Sequence, residues 1–273
     1  MNHRNVSIYF ASNVGNSRAN QEDNAILPDG SILNSELVKT LSEQRCTQEK
    51  FFKNEYKNGF LAAVSDGMGG HFAGEVASAQ TVKYLSENYH RIIDGAYQNE
   101  HFLINEIAKL NRNVLTVSQN VPSCRGMGAT LCGVVSTNGV YYGFNVGDSR
   151  LYRFFDGKLE QLSTDHTEGQ RLLKLNLLTE EEYQRFPRKK NIYKFIGINS
   201  ELIADVFKID NCISGTALLL CSDGLSDVLS ENEIATVLNN GECLENKGRM
   251  LINQALERNI GYGDNITLIL IEF

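Results

Sequence analysis

Short apolar runs separated by polar, turn-rich stretches dominate the chain. Residues 60–65, 140–146, 217–222 and 266–271 are each apolar, brief and bounded by turn residues, the pattern of buried strands. Residues 6–11 read the same way. Beyond Gly74 the period changes: Val82, Leu85, Tyr89 and Ile92 recur at helical spacing, as do Leu103, Ile107, Leu110 and Val114. That spacing predicts two amphipathic helices, each with one face to bury. Leu251, Ile252, Ala255 and Leu256 predict a last helix before the closing strand. Thr179 with Glu182 and Ser230 with Glu233 fit the capping box that starts a helix.

In the middle of the chain, residues 129–136, 140–146, 150–155 and 158–162 read as successive strands. Asn138-Gly139 and Asp156-Gly157 lie between them. Such pairs mark tight hairpins, because a type I′ turn needs positive φ at both central residues. The expectation is an antiparallel meander and an α+β fold, with helices packed outside antiparallel sheets. Only three prolines and no low-complexity linker interrupt the chain, so residues 1–273 read as one domain. Residues 31–58 are polar and charged and read as a surface excursion between strands.

Composition is that of a globular protein with a real core: 42% hydrophobic and 22% charged. The net charge of −7 and pI near 5.3 disfavour nucleic acid as a partner. The one basic cluster, Arg188-Lys189-Lys190, reads as a solvated loop. Six cysteines are scattered without a C-x-x-C pair, which points to a reduced, cytoplasmic protein. No signal pattern and no bilayer-length apolar stretch is present, so no membrane partner is expected.

The chemistry gathers at the strand ends. Asp66 and Asp223 follow apolar runs and precede glycine, Asp148 follows Gly147, and Asp264 follows Gly263 just before the last run. A carboxylate at a buried strand end is costly unless paired or bound to a metal. Four at equivalent places suggest oxygen ligands around hard divalent cations. Residues 66–75 are glycine-rich, and glycine lets the backbone bring a carbonyl against a ligand. Asp66 could then offer its oxygens to two metals and Gly67 its carbonyl; a structural turn ahead of a helix is the plainer reading. Near the N-terminus, Arg18 stands close to Glu22 and Asp23. This is either a surface ion pair or, beside the carboxylates, a fixed cation whose guanidinium matches phosphate oxygens.

Arg18 with Asn20-Gln21-Glu22-Asp23, the segment Asp66-Gly67-Met68-Gly69-Gly70-His71, Gly126-Met127-Gly128-Ala129-Thr130, Gly147-Asp148-Ser149-Arg150, Asp165-His166, Ser222-Asp223-Gly224-Leu225 and Asp264-Asn265-Ile266-Thr267 follow in one order. In that order they resemble the protein phosphatase 2C family of metal-dependent serine/threonine phosphatases, in its compact bacterial form, from about Val6 to Phe273. The resemblance implies a four-layer sandwich of two antiparallel β-sheets flanked by α-helices. It implies two Mn²⁺ or Mg²⁺ ions per chain, with a third held more weakly. Asp66 would bridge the pair, the Gly67 carbonyl would ligate one ion, and Asp223 and Asp264 the other. Asp148 would help hold the third ion, Glu22 and Asp23 would act mostly through metal-bound waters, and Arg18 would bind the substrate phosphate. Thr130 and Asn265 would support the cleft. The implied function is hydrolysis of phosphoserine and phosphothreonine in proteins by a metal-activated water, opposing a serine/threonine kinase, in a monomer.

The chain also departs from the family. Where many eukaryotic relatives carry histidine two residues after the bridging aspartate, it has Met68, which cannot donate a proton. A metal-bound water is the favoured donor, with His71 as the alternative. His166 reads as a residue that holds a strand end by hydrogen bonds. Residues 167–191 resemble the family's variable flap beside the cleft, whose Arg185, Arg188, Lys189 and Lys190 could steer acidic phosphoproteins. Lys194-Phe195-Ile196-Gly197 stands where the family usually has arginine-alanine-leucine-glycine. Two rival readings remain. One is a catalytically inactive phosphatase-like module that binds phosphorylated partners, against which the full carboxylate set argues. The other is a nuclease or phosphodiesterase, against which the acidic charge and the lack of paired histidines argue.

Overall fold

The computed structural model describes residues 5–33, 43, 45–56, 58–68, 73–97, 99–258 and 263–273. Its strands are β1 (Asn5–Asn13), β2 (Asn24–Ile26), β3 (Gln48–Glu55), β4 (Phe60–Ser65), β5 (Gly67–Met68), β6 (Gly128–Ala129) and β7 (Leu131–Thr137). After them come β8 (Val140–Val146), β9 (Arg150–Phe155), β10 (Lys158–Gln161), β11 (Asp205–Ile209), β12 (Ala217–Cys221) and β13 (Ile266–Glu272). One sheet has the order β10-β9-β12-β13-β1-β3 and the other β11-β8-β7-β4-β2, with every pairing antiparallel. β5 and β6 form a small ribbon of their own.

Alternation along the strands explains why the runs are apolar without a break. Ile269 and Ile271 of β13 join Ile8, Phe10, Leu218, Leu220, Phe60 and Val64 in a core between the two sheets. Their neighbours Leu268 and Leu270 face the other way, with Tyr9, Ala11 and Leu219. That outer face is covered by α6 (Asp223–Ser226), α7 (Glu231–Leu238) and α8 (Leu244–Arg258). On the far side, α1 (Ala73–Glu87), α2 (Tyr89–Ala96) and α3 (Glu100–Asn120) cover the five-stranded sheet. Val82, Leu103 and Leu110 pack there on Leu61, Ala63, Leu131 and Phe144. Both faces of the central strands of the two sheets are therefore buried, giving the four layers helix, sheet, sheet, helix. Antiparallel strands more often keep one wet face and alternate with polar residues.

Both hairpin expectations hold. Asn138 and Gly139 have φ of 48° and 80°, and Asp156 and Gly157 have 50° and 73°. Both capping boxes form as well, the first opening α5 (Glu180–Arg185) and the second α7. Two expectations change. The four central strands are not one meander: β7 and β8 belong to the five-stranded sheet, β9 and β10 to the six-stranded one. Residues 147–149 carry the chain between sheets, with Gly147 at φ 107° as the corner. Alternation cannot reveal this, because strands of either sheet carry the same pattern. Second, part of the stretch read as a surface excursion is strand β3, paired along β1 from Asn5↔Glu55 to Ser12↔Gln48. It is an edge strand, and charged side chains such as Glu49, Lys50 and Lys53 are what keep such an edge from pairing with another chain. Polarity there marks an edge, not a loop.

No disulfide joins the six cysteines. Among the described residues, no helix is long and apolar enough to cross a membrane.

Burial of both strand faces makes a specific demand. Ile269→Ala and Leu270→Ala, which empty opposite faces of β13, should each destabilise the protein by about 2–5 kcal/mol. Leu175→Ala, at a side chain 56% exposed, should stay within about 0.5 kcal/mol. Urea denaturation of the three variants checks this; a mild Leu270→Ala would mean that the outer face is not a core.

Candidate active site

Strand register brings the predicted acids to one end of the sandwich. Val64 pairs with Cys132 and Leu131 with Val146, so the ends of β4 and β8, which lead to Asp66 and Asp148, lie together. In the other sheet Cys221 pairs with both Arg150 and Leu268, and Asn13 with Ile266. Asp223, Asp264 and the segment after β1 therefore meet at the matching end, and residues 147–149 join the two sheets there.

Neutral side chains fix the charged ones through the backbone. The Asp66 N–H donates to Thr130 Oγ1 (2.9 Å), and the Thr130 N–H returns a bond to the Asp66 carbonyl (2.8 Å). Thr130 Oγ1 also shares a hydrogen bond with Ser149 Oγ (2.7 Å), the residue next to Asp148. Asn265 accepts the Glu22 N–H (2.7 Å) and donates to the carbonyls of Val14 (2.8 Å) and Asn20 (3.0 Å). It thus pins the Arg18–Glu22 segment onto the start of β13. Ser222 Oγ donates to Asp23 Oδ2 (2.7 Å) and accepts the Thr267 N–H (3.0 Å). A side chain at Gly67 would place its Cβ 2.1 Å from the Gly74 carbonyl oxygen and 2.8 Å from that of Glu22. Only glycine permits this closure of backbone around Asp66.

The electrostatics follow from crowding. Burial, then the charges of Asp23, Asp223, Asp264 and Asp148, push the Asp66 carboxyl well above its ordinary range. Burial, then the charge of Asp223, raises Asp148 to about 8. Burial raises Asp23 to about 7 against the hydrogen bonds from Ser222 and Thr267. Burial and the charge of Asp227 raise Asp223 to about 6, and Asp66 and Asp223 lie within hydrogen-bonding reach of each other. Glu22 is raised, chiefly by burial. Arg18 supplies the nearby cation: its Nη2 is 2.7 Å from Asp264 Oδ2 and its Nη1 3.7 Å from Glu22 Oε2.

The donor set is made of hard oxygens, which suits Mn²⁺ or Mg²⁺. Among the described residues, no three His, Cys, Asp or Glu side chains stand close enough together to hold an ion as they are. What favours a cation is the mutual charge of the acids and the buried oxygens Asp23 Oδ1 and Asp223 Oδ1, which have no hydrogen-bond partner. A divalent ion satisfies such atoms and removes the repulsion together.

Arg18, Glu22, Asp23, Asp66, Gly67, Asp148, Asp223 and Asp264 are thus all placed at one end; His71 lies outside the described residues. His166 holds a strand end, as expected: its Nδ1 accepts the Gly147 N–H (3.0 Å), its own N–H donates to the Gly147 carbonyl (2.8 Å), and its Nε2 is 3.2 Å from Asp205. The flap-like segment contains α4 (Glu168–Lys174) and α5, closed by a bridge between Thr167 and Ile192. The four basic side chains named above are engaged within the molecule: Arg185 with Glu181, Arg188 with Glu168, Lys189 with Gln184 and Lys190 with Asp227. Sequence reading quoted Ser149 and Ser222 within motifs without giving them a role, and did not single out Asp227. Each is a near neighbour of a predicted ligand, and that adjacency was the available signal.

The protein phosphatase 2C family model matches residues 39–257. The serine/threonine phosphatase stp of Listeria welshimeri is 33% identical over 214 residues, 78% of this chain and 84% of its own length. Protein phosphatase PhpP of Streptococcus pneumoniae is 32% identical over 234 residues, 84% of this chain and 93% of its own. The structure of the S. agalactiae serine/threonine phosphatase superposes with a TM-score of 0.79 at 29% identity, covering 98% of this chain and 99% of that one. A catalytic domain of the phosphatase PstP in complex with 2 manganese ions gives 0.70 at 26% identity, covering 98% of each chain.

Carboxyls whose pKa is raised in the folded state bind more protons there than in the unfolded chain. Stability of the chelator-treated protein should therefore rise as pH falls from about 8 towards about 5.5, through the values of Asp148, Asp23 and Asp223. Thermal melts in EDTA should show a Tm higher by a few degrees, in order of magnitude, at pH 5.5 than at pH 8. Saturating Mn²⁺ should remove or reverse that slope; a Tm lower at pH 5.5 than at pH 8 in EDTA would mean that burial and mutual charge do not raise these carboxyls.

Proposed function

Since the chain belongs to the protein phosphatase 2C family and is a serine/threonine protein phosphatase, we propose that it hydrolyses phosphoserine and phosphothreonine in proteins at a binuclear Mn²⁺ or Mg²⁺ centre. The observation that carries this reading is the crowding of carboxylates at one end of the sandwich, with buried oxygens lacking partners and an arginine at the rim. Asp66, the Gly67 carbonyl, Asp223 and Asp264 would hold the two ions. Glu22 and Asp23 would reach them mostly through water. When bound, the ions supply activation of water and positive charge against the phosphoryl oxygens.

The chain's own residues do the rest. Thr130 and the Gly67–Gly74 closure hold Asp66 in place, so a ligand there is oriented before substrate arrives. Arg18, fixed through Asn265 at its segment's far end, grips the phosphate by its planar fork. For that it must loosen from Asp264, which a cation on Asp264 would bring about. The leaving serine or threonine oxygen needs a proton that Met68 cannot give, so water is the donor, with His71 as the alternative. The protein acts as a single catalytic unit over residues 1–273 and as a cytoplasmic monomer opposing a serine/threonine kinase, with no nucleic acid or membrane partner. An inactive phosphopeptide-binding module would need a cationic pocket, not a crowd of acids.

Activity on a small aryl phosphate should require Mn²⁺ or Mg²⁺ and be lost in EDTA, while circular dichroism stays native because none of the expected ligands belongs to the three apolar cores. Full turnover after exhaustive chelation would overturn the two-ion reading. Arg18→Ala should lower kcat/KM by about 30- to 1000-fold, or about 2–4 kcal/mol, the range of a charge-assisted bidentate contact. Arg18→Lys should recover part of it, since a point charge lacks the fork. Steady-state kinetics at saturating Mn²⁺ decides; wild-type kcat/KM in Arg18→Ala would make this arginine a surface ion pair.

A further inference from the structure

We propose that the groove between the C-terminal half of α3 and residues 195–199 is a substrate-docking site, which takes an apolar side chain and an acidic neighbour from the phosphoprotein chain on one side of the phosphorylated residue. The inference rests on the phosphoprotein reading above and names the segment of substrate that the chain selects. The groove has a volume of about 350 Å³, and Leu115, Met127, Phe195 and Ile198 supply its apolar lining. Leu115, Phe195 and Ile198 are only half-buried, so apolar surface is left open there. Covering it gains free energy in proportion to the area removed from water. Gly126 lies at φ 77° with nothing within 4 Å of the place a Cβ would occupy, which keeps one side of the groove clear of side chains.

The groove adjoins the active site through the small ribbon. Gly128, next to Met127, pairs with Met68, and Met68 follows Gly67, whose carbonyl is an expected ligand. The opposite wall is tied to the same ribbon: Ala129 and Ile196 exchange N–H···O bonds of 3.0 and 2.8 Å. A Cβ on Gly128 would lie 2.5 Å from Phe195 Cδ2, so the ring rests on the ribbon. Phe195 belongs to the segment that departs from the family's usual arginine-alanine-leucine-glycine, and an alanine there would leave this wall without its ring. An extended substrate chain advances about 3.3 Å per residue, so the surface is in reach of residues a few positions from a phosphate held at the site. Charge selects the occupant. Arg125 stands exposed at the rim, and its guanidinium has no hydrogen-bond or ion-pair partner among the described residues. Arg185, Arg188, Lys189 and Lys190 of the flap, by contrast, are engaged within the molecule. Uncompensated positive charge beside an apolar groove favours an acidic residue next to an apolar one.

Phosphothreonine peptides test this by comparison with a small aryl phosphate, which enters the catalytic site without reaching the groove. A leucine-glutamate guest pair is moved one position at a time along both sides of the phosphothreonine in an otherwise alanine and glycine peptide, at saturating Mn²⁺. Wild type should prefer one register, with kcat/KM about tenfold above the peptide that has alanine for the leucine. In that register glutamate should exceed lysine by about 2- to 5-fold. Arg125→Glu, at an exposed side chain, should reverse the preference for glutamate over lysine. Leu115→Ala should reduce the preference for leucine by about threefold. Both variants should keep wild-type kcat/KM on the aryl phosphate. A flat peptide scan in wild type, a glutamate preference that survives Arg125→Glu, or aryl phosphate turnover that falls in step with peptide turnover would each overturn the proposal and leave the metal-dependent hydrolysis standing. Hydrolysis of neither substrate by wild type would instead overturn the reading beneath it, and this proposal with it.

Discussion

Everything at the functional end of this molecule depends on holding like charges together. Two unit charges about 6 Å apart repel by about 3 kcal/mol at an effective dielectric near 20, and Asp66 feels four neighbouring carboxylates. The acids cannot move apart because each is rooted at a strand end whose register is set by two buried faces. Shifting β13 by one residue would exchange the inward Ile269 and Ile271 for Leu268 and Leu270 and move Asp264 with them. The hydrophobic layers therefore do more than stabilise: they oppose the repulsion and leave only protons or cations to relieve it.

The second level of control is neutral. Thr130, Asn265 and Ser222 carry no charge, yet each ties a backbone segment to another near an acid. Thr130 and Ser149 link the Asp66 and Asp148 strand ends inside one sheet's edge of the site. Ser222 joins Asp23 to β13. All three connectors are nearly completely buried, where a hydrogen bond left unmade is expensive. Their geometry is consequently better determined than that of the long charged side chains they surround.

The core strands and the aspartates at their ends could be read from sequence because both leave local marks: an unbroken apolar run, then Asp beside Gly. The hairpins at Asn138-Gly139 and Asp156-Gly157 were equally local. The division of the central strands between two sheets was not, since β8 and β9 have the same alternation whichever sheet they join, and only the corner at Gly147 decides. Edge strand β3 was hidden by its charges, which serve its position and mask its conformation. In the site, the acids and Arg18 stood out by residue type. Ser149, Ser222 and Asp227 did not, because a serine or an exposed acid has no signature until its partner across the chain is known.

The cations come from a different part of the design than the acids. The carboxylates sit on rigid strand ends, whereas Arg18 belongs to the segment after β1 and Lys190 to the flap, and their side chains are 49% and 62% exposed. Ion pairs that open to solvent contribute only about 0–1 kcal/mol each. A deeper pair would be stronger but would lock the acids, leaving no route for a divalent ion or a phosphate to enter. Weak, solvent-reached pairs hold the cluster together in the absence of stronger ligands and release it to them at small cost. Arg18 can in this way exchange Asp264 for a phosphate oxygen.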